Sequence, residues 1–65
     1  MTKLEIIVLQ KISYPKEVIQ NIKEIGFRTV EVEVKTPWDH SLITYHVNAD
    51  NFLIPLTIRE VDFHG

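Results

Sequence analysis

The sequence predicts a small α+β domain in which one helix packs on one face of an antiparallel meander sheet. Three observations support this prediction: one segment with helical apolar spacing, two segments with alternation that is strict in the first of them, and turn residues between the segments. The expected order of elements is β-α-β-β-β, with one further strand possible at the C-terminal end. Residues 1–65 form a single domain, because a chain of this length has room for one hydrophobic core.

The first element is predicted to be a strand over residues 3–10. This segment is rich in β-branched residues, and residues 6–9 are four consecutive apolar residues. Both faces of such a strand would be apolar, which is typical of a central strand covered on both sides.

The helix is predicted over residues 15–25. Val18, Ile22 and Ile25 recur at i, i+4 and i+7, which is the spacing of one apolar helix face. Gly26 is suited to the left-handed conformation that follows the last turn of a helix. This segment would therefore cover one face of the sheet.

Residues 28–35 and 41–47 are predicted to pair as an antiparallel hairpin. Apolar and polar residues alternate along both segments, as in half-buried strands. The connecting turn contains Pro37, which pre-sets the backbone, and Asp39, which can bind nearby amides. The core-facing set is Val30, Val32, Val34, Ile43, Tyr45 and Val47; the outer set includes Glu31, Glu33, Leu42, Thr44 and His46.

A fourth strand is predicted over residues 52–56, where Pro55 indicates a sheet edge or a strand end. Val61 and Phe63 alternate with acidic residues and suggest a short fifth strand. The tail over residues 52–63 resembles the strand, tight turn and strand that end small SH3-like or Sm-like barrels. This resemblance implies an alternative fold, a small SH3-like barrel with an inserted helix.

Composition and charge argue against several classes of function. The chain has no cysteine, which excludes disulfides and thiol nucleophiles. Its net charge is −2 and its basic residues are dispersed, so we expect no nucleic-acid partner. Charges interrupt every apolar run, so we expect no signal peptide, no membrane span and a cytoplasmic location. Two glycines cannot supply a phosphate-binding loop, and we expect no cofactor.

The polar residues do not form a recognisable catalytic or metal-binding pattern. Asp39, His40 and Ser41 have triad residue types, but adjacent residues point in different directions, so a polar turn is our interpretation. His40, His46 and His64 are too irregularly spaced for a metal motif. His46 is expected to pair with a glutamate across the hairpin. We therefore expect neither a metal site nor an enzyme.

One helix covers one face of a sheet, so the second face needs another cover. The apolar residues expected on that uncovered face are Ile7, Leu9, Leu42 and either Leu53 or the set Phe52, Ile54 and Leu56. An exposed apolar patch usually marks an interaction site. Either the sheet curls into a barrel or another molecule covers it. We favour an intermolecular contact, with a homodimer through the sheet face or a strand edge as the first expectation.

Residues Pro37, Trp38, Asp39 and His40 at the hairpin tip are the predicted partner-binding site. Tryptophan is enriched at binding hot spots, and loops often carry function. The alternative is that Trp38 folds back over the open end of the core and caps it.

These observations predict a non-enzymatic protein-binding module that acts as an inhibitor or regulator by occupying another protein's surface. By analogy of size and composition, such chains include small regulators encoded by phages and mobile elements. The alternative is an oligomeric protein that binds a nucleotide or metabolite between subunits. Its ligand contacts would come from Tyr45, His46 and Arg59.

Overall fold

The computed structural model describes residues 1–61 as one helix packed against a four-stranded antiparallel sheet. The elements are helix α1 (Lys3–Lys11), a 3-10 turn (Lys16–Val18) and strands β1 (Ile19–Gly26), β2 (Thr29–Lys35), β3 (His40–Val47) and β4 (Leu53–Glu60). The strand order is β1-β2-β3-β4. The predicted α+β meander with one helix is therefore confirmed, and the described sheet is open, with β1 and β4 at its edges.

The prediction of a strand over residues 3–10 is wrong, because this segment forms α1. The helix begins with a capping box: the N–H of Glu5 donates to Thr2 Oγ1 at 3.2 Å, and the N–H of Thr2 donates to Glu5 Oε1 at 3.0 Å. This arrangement satisfies two N–H groups that the helix cannot pair internally. Val8 is fully buried against the sheet, so the cap and the packing together outweigh β-propensity.

The prediction of a helix over residues 15–25 is also wrong, because most of this segment forms the edge strand β1. Ile19 and Ile22 both pack against the core, although they are three positions apart. The register shifts between Ile19 and Asn21, which makes Gln20 the additional residue of a bulge. The bulge gives a strand the apolar spacing that is otherwise typical of a helix.

The hairpin of β2 and β3 is confirmed. Val30 lies opposite Tyr45 and Val32 lies opposite Ile43, so the alternating apolar residues of both strands share one face. These residues are buried, whereas the intervening polar residues lie on the outer face, partly exposed. The buried residues of the core are Val8, Val30, Val32, Val34, Ile43, Tyr45 and Val47.

Arg28 joins the two turns at one end of the sheet. Gly26 ends β1 without a positive φ, contrary to prediction, and Arg28 instead takes φ 47° in the following turn. The guanidinium Nε donates to the Val47 carbonyl at 2.6 Å, and Nη2 donates to the Asn48 carbonyl at 2.7 Å and to Asn51 Oδ1 at 3.0 Å. Three charge-assisted hydrogen bonds therefore hold the β1–β2 turn against the β3–β4 turn.

The fourth strand is longer than predicted. β4 continues without a turn beyond residue 56, so the tight turn expected from the resemblance to small barrels is not found in residues 52–60. Pro55 does lie on an edge strand, as predicted. Val61 follows β4, and its N–H donates to the His40 carbonyl at 2.7 Å. The remaining residues of the suggested fifth strand lie outside the described part of the chain.

Candidate functional site

The tip of the β2–β3 hairpin is held in one shape by Thr36. Thr36 Oγ1 accepts hydrogen bonds from the N–H groups of Trp38 at 3.2 Å and Asp39 at 2.9 Å. The Thr36 N–H donates to the Asp39 carbonyl at 2.7 Å. A threonine hydroxyl that binds amides further along the chain stabilises such a turn. The local sequence thus fixes the backbone beneath Trp38.

Trp38 extends into solvent from this turn. Its exposed fraction is 84%, so it does not fold back over the core as the capping alternative requires. Pro37 and Asp39 are exposed as well, whereas His40 is only partly exposed because β3 begins there. The four predicted tip residues are therefore adjacent in space, with the indole as the most prominent group.

A cleft of about 260 Å³ lies beside the tip. Trp38, Asp39 and His40 line one part of it, and Glu60 and Val61 at the end of β4 line the rest. The indole and two carboxylates thus border one shallow, mainly polar depression. Such a surface suits contact with another macromolecule better than enclosure of a small molecule.

The triad-like residues do not converge. The His40 ring contacts the Glu33 carboxylate through Nε2 and Oε2 on the outer face. Ser41 lies opposite Val34, a residue of the core face. Successive strand residues point to opposite faces of the sheet. The side chains of His40 and Ser41 therefore lie on opposite faces and cannot converge.

The expected cross-strand histidine–glutamate pair exists, but with a different histidine. His40 pairs with Glu33, whereas His46 lies opposite Thr29 at the other end of the hairpin. Glu31 is on the same outer face, opposite Thr44. The two glutamates are therefore in different surroundings, and one is held by a histidine.

The residues predicted for one uncovered sheet face are in three different places. Ile7 and Leu9 belong to α1, and Ile7 packs against the core. Leu53 also packs against the core, and Leu42 is partly buried on the outer face. For Ile7 and Leu9 the error follows from the exchange of helix and strand at the beginning of the chain.

Three of the exposed large apolar side chains lie on β4. Ile54, Leu56 and Ile58 are all exposed, and all three belong to the edge strand. Phe52 is exposed immediately before β4. Alternation in the sequence indicates which residues share a face of a strand. It does not indicate which strand the helix leaves uncovered, so the sequence did not point to Ile58.

The alternative ligand contacts do not converge within one chain. Tyr45 belongs to the buried core, and burial raises the pKa of its phenol, with a smaller contribution from Tyr14 nearby. His46 and Arg59 are on the outer face, where Arg59 lines a pocket of about 270 Å³ together with Glu31 and Leu42. The sheet thus separates Tyr45 from the other two residues.

A metal-binding cluster and a membrane-spanning helix are both absent from the described residues. Within residues 1–61 no group of three or more histidine or acidic side chains is arranged to hold a metal ion. None of the helices in this range has the length and apolar character needed to cross a bilayer. His64 lies outside the described residues.

Comparisons with known proteins provide no relative. No protein-family model, no curated protein and no solved structure matches this chain. The geometry of the hairpin tip and of β4 is therefore the basis for any functional conclusion.

Proposed function

We propose that this chain is a non-enzymatic protein-binding module that acts as an inhibitor or regulator by occupying a partner's surface with its β2–β3 tip. The observation that carries the proposal is the exposed Trp38 side chain, which is 84% accessible to solvent. A tryptophan provides a large apolar area and a polar N–H, and it is among the residues most enriched at binding hot spots.

The rigidity of the tip supports this function. The Thr36 hydroxyl binds the N–H groups of Trp38 and Asp39, so the backbone is ordered before any partner is bound. Ordering a flexible loop on binding costs free energy, and a preorganised loop avoids part of that cost. The carboxylates of Asp39 and Glu60 border the same cleft and would favour a partner with complementary positive charge.

The proposal is tested by capturing a partner with the tagged chain, purifying it, and titrating it with wild-type protein and Trp38→Ala by calorimetry. We expect the substitution to weaken binding at least tenfold, as for a hot-spot residue. The matched control is Phe27→Ala, which removes another exposed aromatic residue from the β1–β2 turn. This control should bind like the wild type.

Inhibition is measured separately, as the partner's activity at increasing ratios of the chain. The partner's activity should fall as the complex forms. The Trp38→Ala variant should reach the same inhibition only at a higher concentration, in proportion to its weaker binding. Unchanged binding by Trp38→Ala would exclude the tip as the contact surface. Saturated binding without any change in partner activity would contradict the inhibitory role.

A further inference from the structure

The two edges of the sheet present different surfaces. At β1, the Glu5 carboxylate accepts a hydrogen bond from the Glu24 N–H at 2.9 Å, and the exposed residues of that strand are mainly polar. At β4, the exposed residues include Ile54, Leu56 and Ile58. An exposed apolar edge strand favours pairing with another strand.

The hydrogen-bonding groups that β4 directs away from β3 follow from its register. The Val61 N–H donates to the His40 carbonyl, and the same register continues towards the middle of β4. Paired and unpaired residues alternate along an antiparallel ladder. Ile58 and Glu60 therefore direct their N–H and C=O groups to the open side of the strand.

The first half of β4 is unsuited to further pairing. Pro55 has no N–H to donate. The register shifts where Thr44 and Tyr45 face β4, which leaves Leu56 as the additional residue of a bulge. The regular edge that remains for an added strand is therefore the segment 57–60.

We propose that β4 pairs with β4 of a second copy, antiparallel, with Ile58 opposite Ile58 of the partner subunit. This register joins the two unpaired edges into one eight-stranded sheet. It places Arg59 opposite Thr57 of the partner subunit and Glu60 opposite Leu56 of the partner subunit, so like charges do not face each other. A register moved by one residue in each copy would place Arg59 opposite Arg59 of the partner subunit, and like charges directly opposite each other are unfavourable.

Side-chain contact adds to the backbone pairing at this edge. Ile58 lies opposite Ile43, on the face of the sheet that carries the core, and in the proposed register the two Ile58 side chains lie next to each other at the two-fold axis. The net charge of −2 per chain gives weak repulsion between copies. The dimer should therefore be reversible and depend on concentration.

The proposal and the function of the hairpin tip are tested at different residues. Trp38 is in the β2–β3 turn and Ile58 is in β4, although Glu60 borders both the tip cleft and the paired edge. A substitution at Ile58 that abolishes dimerisation would leave Trp38 in place, and a substitution at Trp38 that abolishes partner binding would leave the Ile58 contact in place. The two proposals can therefore fail separately.

The first experiment measures solution mass by light scattering over a range of concentrations. The wild type should rise from the monomer mass of 7.6 kDa towards twice that value. Ile58→Asp and Ile58→Lys should each remain monomeric, because like charges then meet at the two-fold axis. An equimolar mixture of the two variants should form a dimer again, because opposite charges then meet.

The second experiment tests the register by cross-linking. The chain has no cysteine, so Ile58→Cys introduces a single thiol. Directly opposed residues of a hydrogen-bonded pair have Cα atoms about 5.5 Å apart, which a disulfide can span. Ile58→Cys should form a covalent dimer on oxidation, whereas Gln20→Cys in β1 should remain largely monomeric.

Three results would overturn the proposal: a wild type that is monomeric at every concentration, an Ile58→Asp variant that still dimerises, or equal cross-linking of both cysteine variants. The control is the circular dichroism spectrum of each variant, which should match that of the folded wild type. Since Ile58 is 68% exposed, its substitutions should not unfold the monomer.

Discussion

Ile43 and Ile58 lie opposite each other on β3 and β4, yet they are 2% and 68% exposed. The two residues are identical and face the same side of the sheet. They differ in what lies above them, because α1 packs against β1 and β2 and β4 is the strand furthest from it.

The contrast between these residues shows the limited reach of one helix. A helix with its side chains is about 10–12 Å wide, and neighbouring strands are about 4.8 Å apart, so one helix covers about two strands. The third strand is still buried here because it borders the covered area, and the fourth is not. Strand pairing provides backbone hydrogen bonds but no cover for side chains.

The largest expected effect is the difference between Ile43→Ala and Ile58→Ala. Ile43→Ala removes buried apolar atoms and leaves a cavity, and it should lower the free energy of unfolding by about 3 kcal/mol. Ile58→Ala should change it by about 0.5 kcal/mol or less. Urea denaturation at low protein concentration, where β4 pairing does not contribute, measures both values. Equal losses would show that β4 is covered within the monomer.

The next effect concerns the end of the sheet opposite the hairpin tip. Arg28→Ala removes three hydrogen bonds to the β3–β4 turn and should destabilise the fold by about 2 kcal/mol. The matched control, Arg59→Ala, changes an exposed arginine of β4 and should stay within about 0.5 kcal/mol. Similar urea midpoints for the two variants would contradict a structural role for Arg28.

The middle of the chain was predictable and its beginning was not. In β2 and β3 every second residue faces the core without interruption, so the two-residue period is visible in the sequence. In β1 the bulge at Gln20 breaks that period and produces a helix-like one. In α1 four consecutive apolar residues hide the helical face, and the capping box of Thr2 and Glu5 was the signal that indicated a helix.

The candidate site was predictable in part for a similar reason. Trp38 stands out because a large aromatic residue at a hairpin tip is costly to expose and tryptophan is enriched at binding hot spots. The local hydrogen bonds of Thr36 determine the position of its backbone. The exposure of Ile58 depends on where a distant helix packs. The role of Arg28 likewise depends on contacts with residues 47–51, which lie far along the chain.

A smaller effect is expected from acidification, through the tether between α1 and β1. Hydrogen bonds from the N–H groups of Glu24 and Thr2 lower the pKa of the Glu5 carboxyl. A lowered pKa means that the carboxylate stabilises the fold above its usual pKa, and that this contribution is lost as pH falls through the folded value.

Glu5→Gln should therefore be less stable than the wild type at pH 7, and the difference should narrow as pH falls below about 4. Urea midpoints at several pH values measure this convergence. Glu17→Gln, a change at an exposed residue of the 3-10 turn, should follow the wild type throughout. A constant gap between Glu5→Gln and wild type would mean that the carboxylate charge is not what holds α1 to β1.

The smallest expected effect concerns Tyr45, which lies at the border between the buried core and the exposed strand β4. Tyr45 lies opposite Pro55 of β4, and burial raises the pKa of its phenol. The phenol of the unfolded chain therefore deprotonates at a lower pH than the phenol of the folded protein. The contribution of Tyr45 to the free energy of unfolding is complete below about pH 10 and declines as pH rises through the pKa of the folded protein. Tyr45→Phe should decline less steeply than the wild type between pH 9 and about pH 11.5, whereas Tyr14→Phe should retain most of the decline. Parallel curves for Tyr45→Phe and the wild type would place Tyr45 on the solvent side of that border, with β4.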